Sequence, residues 1–243
     1  MYNTDYHKEL QPQVAFEAAP VIENAIITPF VATRNNYLRL KRALDILFSS
    51  LFTLLVLSWL LPIVAVWIKL DSRGPVFFFQ RRIGRDGKVF TCYKLRTMIR
   101  NNDADEKPAD ENDHRITRAG RFLRKTNIDE MPQFFNVLIG DMSLTGPRPH
   151  MPADCNRFSF VISTYSFRNL VKPGITGLAQ IKGYRGPTRD YQSILQRYHW
   201  DAEYVKKAGI GQDMKIIGIT IARCFRNFFI VSIISVRNWL ILK

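Results

Sequence analysis

The sequence predicts an α/β fold, α+β in character and helix-rich, joined to a re-entrant helix-break-helix membrane hairpin. Three observations carry this expectation. An uncharged, mostly apolar run from Ile46 to Ile68 stands between basic flanks. Two short stretches rich in Val, Phe and Tyr are separated by the turn Gly84-Arg85-Asp86-Gly87. Later segments, Arg118 to Thr126, Pro132 to Ile139 and Tyr191 to Lys207, carry helical signals.

The apolar run comes first in the argument. Lys41 and Arg42 precede it, and Lys69 and Arg73 follow it. Pro62 sits inside, removing a backbone donor and crowding the carbonyl of Ser58, at a cost of about 3 kcal/mol in a regular helix. A break there leaves an arm from Ile46 to Leu61 of only about 24 Å, short of a hydrocarbon core of about 30 Å. Basic residues on both flanks place both ends on the same side under the positive-inside tendency. A hairpin entering and leaving one leaflet satisfies both facts, with the Ser58 hydroxyl serving the backbone group that the proline frees. A spanning helix kinked at Pro62 is the competing arrangement.

Four regions follow: a loosely ordered extension (1–36), the membrane hairpin (37–71), the main domain (72–212) and an amphipathic, membrane-associated tail (213–243). The extension holds Pro12, Pro20 and Pro29 with no sustained periodicity. The main domain opens with a β-hairpin, Val76 to Gln80 against Lys88 to Arg96. Asn101 to His114 reads as a solvated acidic loop. The tail carries Arg223, Arg226 and Arg237, and its uncharged stretch from Asn227 to Val236 is too short to span, so it is expected in the membrane plane, with a partner-binding or core helix as the alternative.

Composition narrows the partners. The chain of 243 residues is 47% apolar and carries a net charge of +14. That surplus favours anionic partners: nucleic acid, anionic headgroups or phosphorylated substrates. Cys92, Cys155 and Cys224 have neither disulfide nor zinc spacing, which leaves reduced thiols in a domain facing the cytosol. The first nine residues lack the pattern of a cleavable signal peptide.

The adjacent carboxylates Asp129 and Glu130 stand out for their setting, just after Arg118, Arg121, Arg124 and Lys125. Pro132 suits the first turn of a new helix, and Thr126 with Asp129 has an N-cap-like spacing. Ionised carboxylates beside arginines at a helix N-terminus are open to an arriving phosphate; a helix cap with surface ion pairs accounts for the same residues. Arg148, between Pro147 and Pro149, offers a stiffly held guanidinium fork. Lys172 to Gly177 offers Lys172, the Thr176 hydroxyl and backbone amides, a composition suited to cradling phosphate. Lys94, Arg96 and Thr97 at the end of the hairpin add more cations and a hydroxyl.

In order along the chain, Lys94 to Met98, Gly120 to Thr126, Asp129 to Gln133, Gly140 to Leu144, Gly146 to Pro149 and Lys172 to Gly177 resemble the bacterial sugar transferases, the monotopic phosphoglycosyl transferases. The resemblance covers roughly residues 39 to 220. It implies a re-entrant membrane helix and a cytosolic catalytic domain at the bacterial inner membrane, using Mg²⁺. It implies that Asp129 attacks the β-phosphate of a UDP-sugar and releases UMP, and that the phosphosugar passes to undecaprenyl phosphate or another polyprenol phosphate. Glu130, with Asp129, is expected to hold the metal or assist proton transfer. Lys94, Arg96, Arg124, Arg148, Lys172 and Thr176 are expected to bind phosphate or substrate. The expected partners are the two substrates, membrane lipids and downstream glycosyltransferases that extend a polysaccharide or glycan, with no nucleic acid. Leu61-Pro62 departs from the Ser-Pro that many members carry at the membrane break, and larger relatives carry an N-terminal bundle of spanning helices for which this chain has no room. Two rival readings remain: a conventional glycosyltransferase that releases UDP, and a basic membrane-tethered module that binds nucleic acid or lipid. The sugar is left open.

Overall fold

The computed structural model describes residues 35–99, 113–186 and 190–241, with side chains as far as Phe228. Most of the predicted extension and of the acidic loop lies outside the described residues. Residues from Tyr37 onward form one compact unit.

The apolar run forms one uninterrupted helical rod from Asn35 to Asp71. It consists of α1 (Asn35–Phe52), a π turn (Thr53–Leu57) and α2 (Ser58–Asp71). The expected break at Pro62 does not occur. Pro62 lies within α2, and the distortion falls in the turn before it, where the Ser58 amide donates to the Thr53 carbonyl, five residues back. A π turn widens the helix without exposing a whole row of backbone groups, which a true break would do. Ser58 Oγ donates to the Leu54 carbonyl at 2.6 Å and Trp59 Nε1 to that of Leu55 at 2.8 Å. The serine hydroxyl therefore covers the π turn, one turn earlier than its predicted partner. The rod is long and apolar enough to cross a membrane, and only 17% of its most apolar window is buried.

One face of the rod docks along the domain. Near its start, Tyr37 Oη and Lys41 Nζ each donate to Asp213 Oδ2 at 2.9 Å. Asp45 Oδ1 accepts from the Leu144 amide at 3.0 Å. At its far end, Val64 and Ile68 pack against Leu95 and Leu123, and Asp71 accepts from the Ala119 amide at 3.0 Å. The opposite face leaves Leu47, Leu51, Leu54, Leu55, Ile63 and Val66 bare.

The predicted hairpin follows as β1 (Phe77–Ile83) antiparallel to β2 (Val89–Leu95), with Phe77 opposite Leu95 and Ile83 opposite Val89. Asp86, in the turn, takes a left-handed conformation (φ 56°), which an aspartate tolerates better than most residues. Then come α3 (Arg118–Thr126) and α4 (Gln133–Ile139), joined by a 3-10 turn at Ile128–Glu130. β3 (Ser143–Thr145) precedes α5 (Pro152–Val161), a 3-10 segment (Tyr165–Leu170) and β4 (Gly174–Thr176). β3 and β4 pair in parallel, so the β part is two separate two-stranded ladders among helices. The chain closes with α6 (Leu178–Ile181), α7 (Tyr191–Lys207) and α8 (Ile210–Ile241).

The core is a set of small clusters, each wedged between neighbouring elements. Cys92, Val137 and Met142 join β2 to α4; Tyr204 and Ile216 join α7 to α8. The predicted tail boundary at 212–213 falls inside α8, whose first turns are core: Asp213 is buried and accepts from Tyr204 Oη at 2.8 Å.

Candidate active site

The site is assembled where α3 hands over to α4. Thr117 caps α3, its hydroxyl accepting from the Gly120 amide at 3.0 Å. Gly120 lies directly on the strand end: a Cβ there would sit 2.0 Å from the Thr97 carbonyl oxygen. Asn127, left-handed at φ 62°, ends the helix and turns the chain into Ile128–Glu130. Thr126 does not cap the following turn as its spacing predicted. It is the last residue of α3, and its hydroxyl donates back to the Phe122 and Leu123 carbonyls at 2.8 and 3.2 Å. Asn136 of α4 then clips the hairpin, accepting from the Tyr93 amide at 2.9 Å and donating to the Thr91 carbonyl at 2.7 Å. These contacts bring Lys94 over the two carboxylates.

Glu130 is buried and held by three cations. Oε1 accepts from Lys94 Nζ at 3.1 Å and Arg148 Nη2 at 2.5 Å; Oε2 accepts from Arg148 Nη1 at 3.1 Å and Arg185 Nη2 at 3.2 Å. Burial pushes the Glu130 carboxyl up, but Arg148 and Lys94 outweigh it and hold the group well below the ordinary range. The same pairing raises Arg148. Asp129 is half-buried and behaves in the opposite way. Burial and the charge of Glu130 push it up to about 6, against the pull of Lys94, Arg124 and Arg148. Two neighbouring carboxylates are thus divided by their surroundings: one held as an anion, one brought up towards neutrality.

Of the predicted site residues, the structure gathers Asp129, Glu130, Lys94, Arg124 and Arg148. Arg96, Lys172 and Thr176 have their neighbours outside this group. Arg96 is buried, and its fork donates to the Pro75 carbonyl (2.5 Å), the Ser72 carbonyl (2.8 Å) and the Ser72 hydroxyl (2.6 Å). It ties down the chain leaving the rod. Thr176 shares a hydrogen bond with Thr220 of α8 at 2.7 Å. Lys172 feels Arg42 and Arg85 as its cationic neighbours, at the Gly140 end of α4. The glycines and amides of 172–177 serve backbone packing: a Cβ on Gly174 would lie 2.1 Å from the Gly146 nitrogen, and the Gly174 amide donates to Pro147 at 3.0 Å. Sequence reasoning missed Arg185. Its place beside glycines in Gly183-Tyr184-Arg185-Gly186 resembles the placing of Arg148 in its stiff loop, and that was the available signal.

Mg²⁺ is commonly held by one or two carboxylates together with substrate phosphates. Among the described residues no group of three or more His, Cys, Asp or Glu side chains forms a metal cage. All four acceptor positions of Glu130 are taken. The residues present would fit a cation held by Asp129, and by Glu130 only where Lys94 or an arginine gave up a position.

A bare apolar rod docked on a domain, beside two carboxylates set among lysine and arginine side chains, is the pattern of a membrane-associated protein with an anion-attracting site. The chain belongs to the bacterial sugar transferase family, whose model matches residues 36–227. It is 44% identical over 189 residues to the UDP-glucose:undecaprenyl-phosphate glucose-1-phosphate transferase of Escherichia coli K12, covering 77% of this chain and 40% of that relative. It is 47% identical over 184 residues to an exopolysaccharide production protein, PSS, of Rhizobium leguminosarum, covering 73% of this chain and 91% of the relative. To the UDP-N-acetylgalactosamine-undecaprenyl-phosphate N-acetylgalactosaminephosphotransferase of Aeromonas hydrophila it is 39% identical over 194 residues, 79% of this chain and 45% of the relative. The chain thus spans about two fifths of the length of the first of these.

Proposed function

We propose that the protein transfers a sugar-1-phosphate from a UDP-sugar to undecaprenyl phosphate at the cytosolic face of the bacterial inner membrane, starting a polysaccharide that downstream glycosyltransferases extend. The observation that carries this reading is the division of labour between Asp129 and Glu130. An Asp129 oxygen attacks the β-phosphorus of the donor; the bond to the bridging oxygen of the α-phosphate breaks, and UMP leaves with that electron pair. An oxygen of the acceptor phosphate then attacks the same phosphorus, which breaks the aspartyl bond and restores the carboxylate. Glu130 holds Lys94, Arg148 and Arg185 in place, so their donors are preorganised for phosphate oxygens. Mg²⁺, when bound, neutralises phosphate charge.

The rod supports the membrane part of the reading. Its start and its end are both held by the same domain, at Asp213 and Leu144 on one side and at Leu95 and Ala119 on the other. A helix held so at both ends keeps both ends on the domain's side of the bilayer, with its bare face turned to the lipid. UDP-glucose is the first donor to test, because identity is higher to the glucose-named relative than to the N-acetylgalactosamine-named one.

Protein in nanodiscs is incubated with UDP-glucose and Mg²⁺ without acceptor, and intact mass is measured. We expect an added hexose phosphate on Asp129 and release of UMP, with turnover once undecaprenyl phosphate is supplied. Release of UDP in place of UMP, with no adduct, identifies a conventional glycosyltransferase instead.

A further inference from the structure

Behind the ring of cations, three more arginines face inward. Arg168 is 2% exposed. Its Nε and Nη2 donate to Asp201 Oδ2 at 3.0 and 2.8 Å, and Nη2 also donates to the carbonyl of Arg148 at 2.5 Å. Arg197, also buried, grips the other segment. Its Nε donates to the Tyr184 carbonyl at 3.1 Å and its Nη2 to the Gly186 carbonyl, the two carbonyls that flank Arg185. Arg82 Nη1 donates to the Pro149 carbonyl at 3.1 Å.

His150 lies between the two buried arginines. Its Nε2 is 3.3 Å from Arg197 Nη1; its Nδ1 is 2.5 Å from Tyr165 Oη and 3.4 Å from Arg168 Nη1. A guanidinium only donates, and a neutral imidazole accepts at one nitrogen and donates from the other. A neutral ring can therefore accept from only one of the two arginines: with Nε2 accepting from Arg197, Nδ1–H donates to Tyr165 Oη and Arg168 Nη1 is a neighbour of the ring, not a donor to it. Burial, with Arg168 and Arg197 nearby, holds the imidazole well below its usual pKa, so it adds no further charge.

We propose that Arg82, Arg168 and Arg197, gathered around His150, are positioning residues that fix the backbone at Arg148–Pro149 and on either side of Arg185 and thereby aim both guanidiniums at the phosphates of the donor. The identity of that anion rests on the proposed function; the frame itself rests on the contacts. Arg148 and Arg185 come from separate loops, joined in front by Glu130 and behind by this frame. A planar fork holds a carbonyl and a second partner at once, which a lysine ammonium does with much less directional control. Apolar side chains of similar volume commonly fill such a place with equal or greater stability. The charged frame thus has a use other than filling space.

The test is equilibrium binding of UDP with Mg²⁺ to the full chain in nanodiscs, as a double-mutant cycle. Arg197→Lys is expected to weaken UDP binding about tenfold in the wild-type background and less than about twofold when Arg185 is already Ala. Equal losses in both backgrounds, or none in either, overturn the proposal. Should Arg197→Lys fail to fold, the cycle of Arg82→Lys with Arg148→Ala, at a half-buried position, has the same two outcomes. UMP release is followed in parallel. Wild-type protein that binds UDP but releases no UMP from UDP-glucose overturns the transfer reading and leaves the frame intact. Wild-type protein that does not bind UDP overturns the proposal that the frame aims Arg148 and Arg185 at donor phosphates.

Discussion

Asp129 and Glu130 are neighbours in sequence with opposite electrostatic fates, and substitutions at each should differ in kind. Asp129→Asn keeps the size and removes the attacking charge. We expect turnover to fall by about three orders of magnitude or more with little change in melting temperature, read by UMP release and calorimetry. Glu130→Gln leaves Lys94, Arg148 and Arg185 facing one another without their common anion. Breaking a buried pair in this way costs about 3 kcal/mol, less here for Arg185, which is 41% exposed. Its melting temperature should therefore fall together with activity. The pH dependence carries a sign for each group. Asp129 attacks only when ionised, so kcat/KM for the donor should decline as pH falls through about 6. His150 is depressed in the fold, so only the unfolded chain takes up a proton just below the ordinary histidine value of about 6.5. The stability associated with its neutral form is present above that value and is lost as pH falls. His150→Gln cannot titrate, so its melting temperature should improve relative to wild type between pH 7 and pH 5. A constant difference would show that His150 does not titrate between the two states.

At the scale of elements, the α3–α4 corner offers the sharpest test. Gly120→Ala places a methyl inside the Thr97 backbone. Neither partner is a flexible side chain, so α3 must lift from the strand end. We expect a loss of about 2–3 kcal/mol and a marked fall in activity, since Asp129 follows directly on α3. This corner also shows what the sequence made legible. Arg118 to Thr126 was readable to the residue because Thr117 caps its start and Asn127 stops it. The hairpin was readable because Gly84 to Gly87 can form only a turn. Pro62 misled because a proline removes one donor, whereas the rod had a second remedy, a π turn covered by Ser58 and Trp59, that no propensity announces. In the site, the carboxylates and Lys94, Arg124 and Arg148 were legible from motif and charge. Arg96, Lys172 and Thr176 were assigned by composition, yet a fork or a hydroxyl bonds a carbonyl as readily as a phosphate. Only three-dimensional neighbours such as Ser72, Pro75 and Thr220 separate the two cases.

For the whole molecule, the disposition of the rod predicts topology. Single cysteines at Asn35 and Arg73, in a background without Cys92, Cys155 and Cys224, report on the two ends. With a membrane-impermeant thiol reagent and a permeabilised outer membrane, both should stay unlabelled until the inner membrane is opened. Labelling of position 35 alone would mean that the rod spans. The distance of Asp129 from the rod follows from one short element. α4 begins just after Glu130, and its last carbonyls, those of Val137 and Leu138, are gripped by Arg42 of the rod at 2.6 and 2.8 Å. Seven residues of helix measure about 10 Å. The helix acts as a fixed ruler, with one end fastened to the rod and the other beginning just after the turn that holds Asp129 and Glu130. Under the proposed transfer, a lipid phosphate lying at that distance from the rod would meet Asp129 without leaving its leaflet, whereas one displaced by a longer headgroup spacer would pass out of register with it.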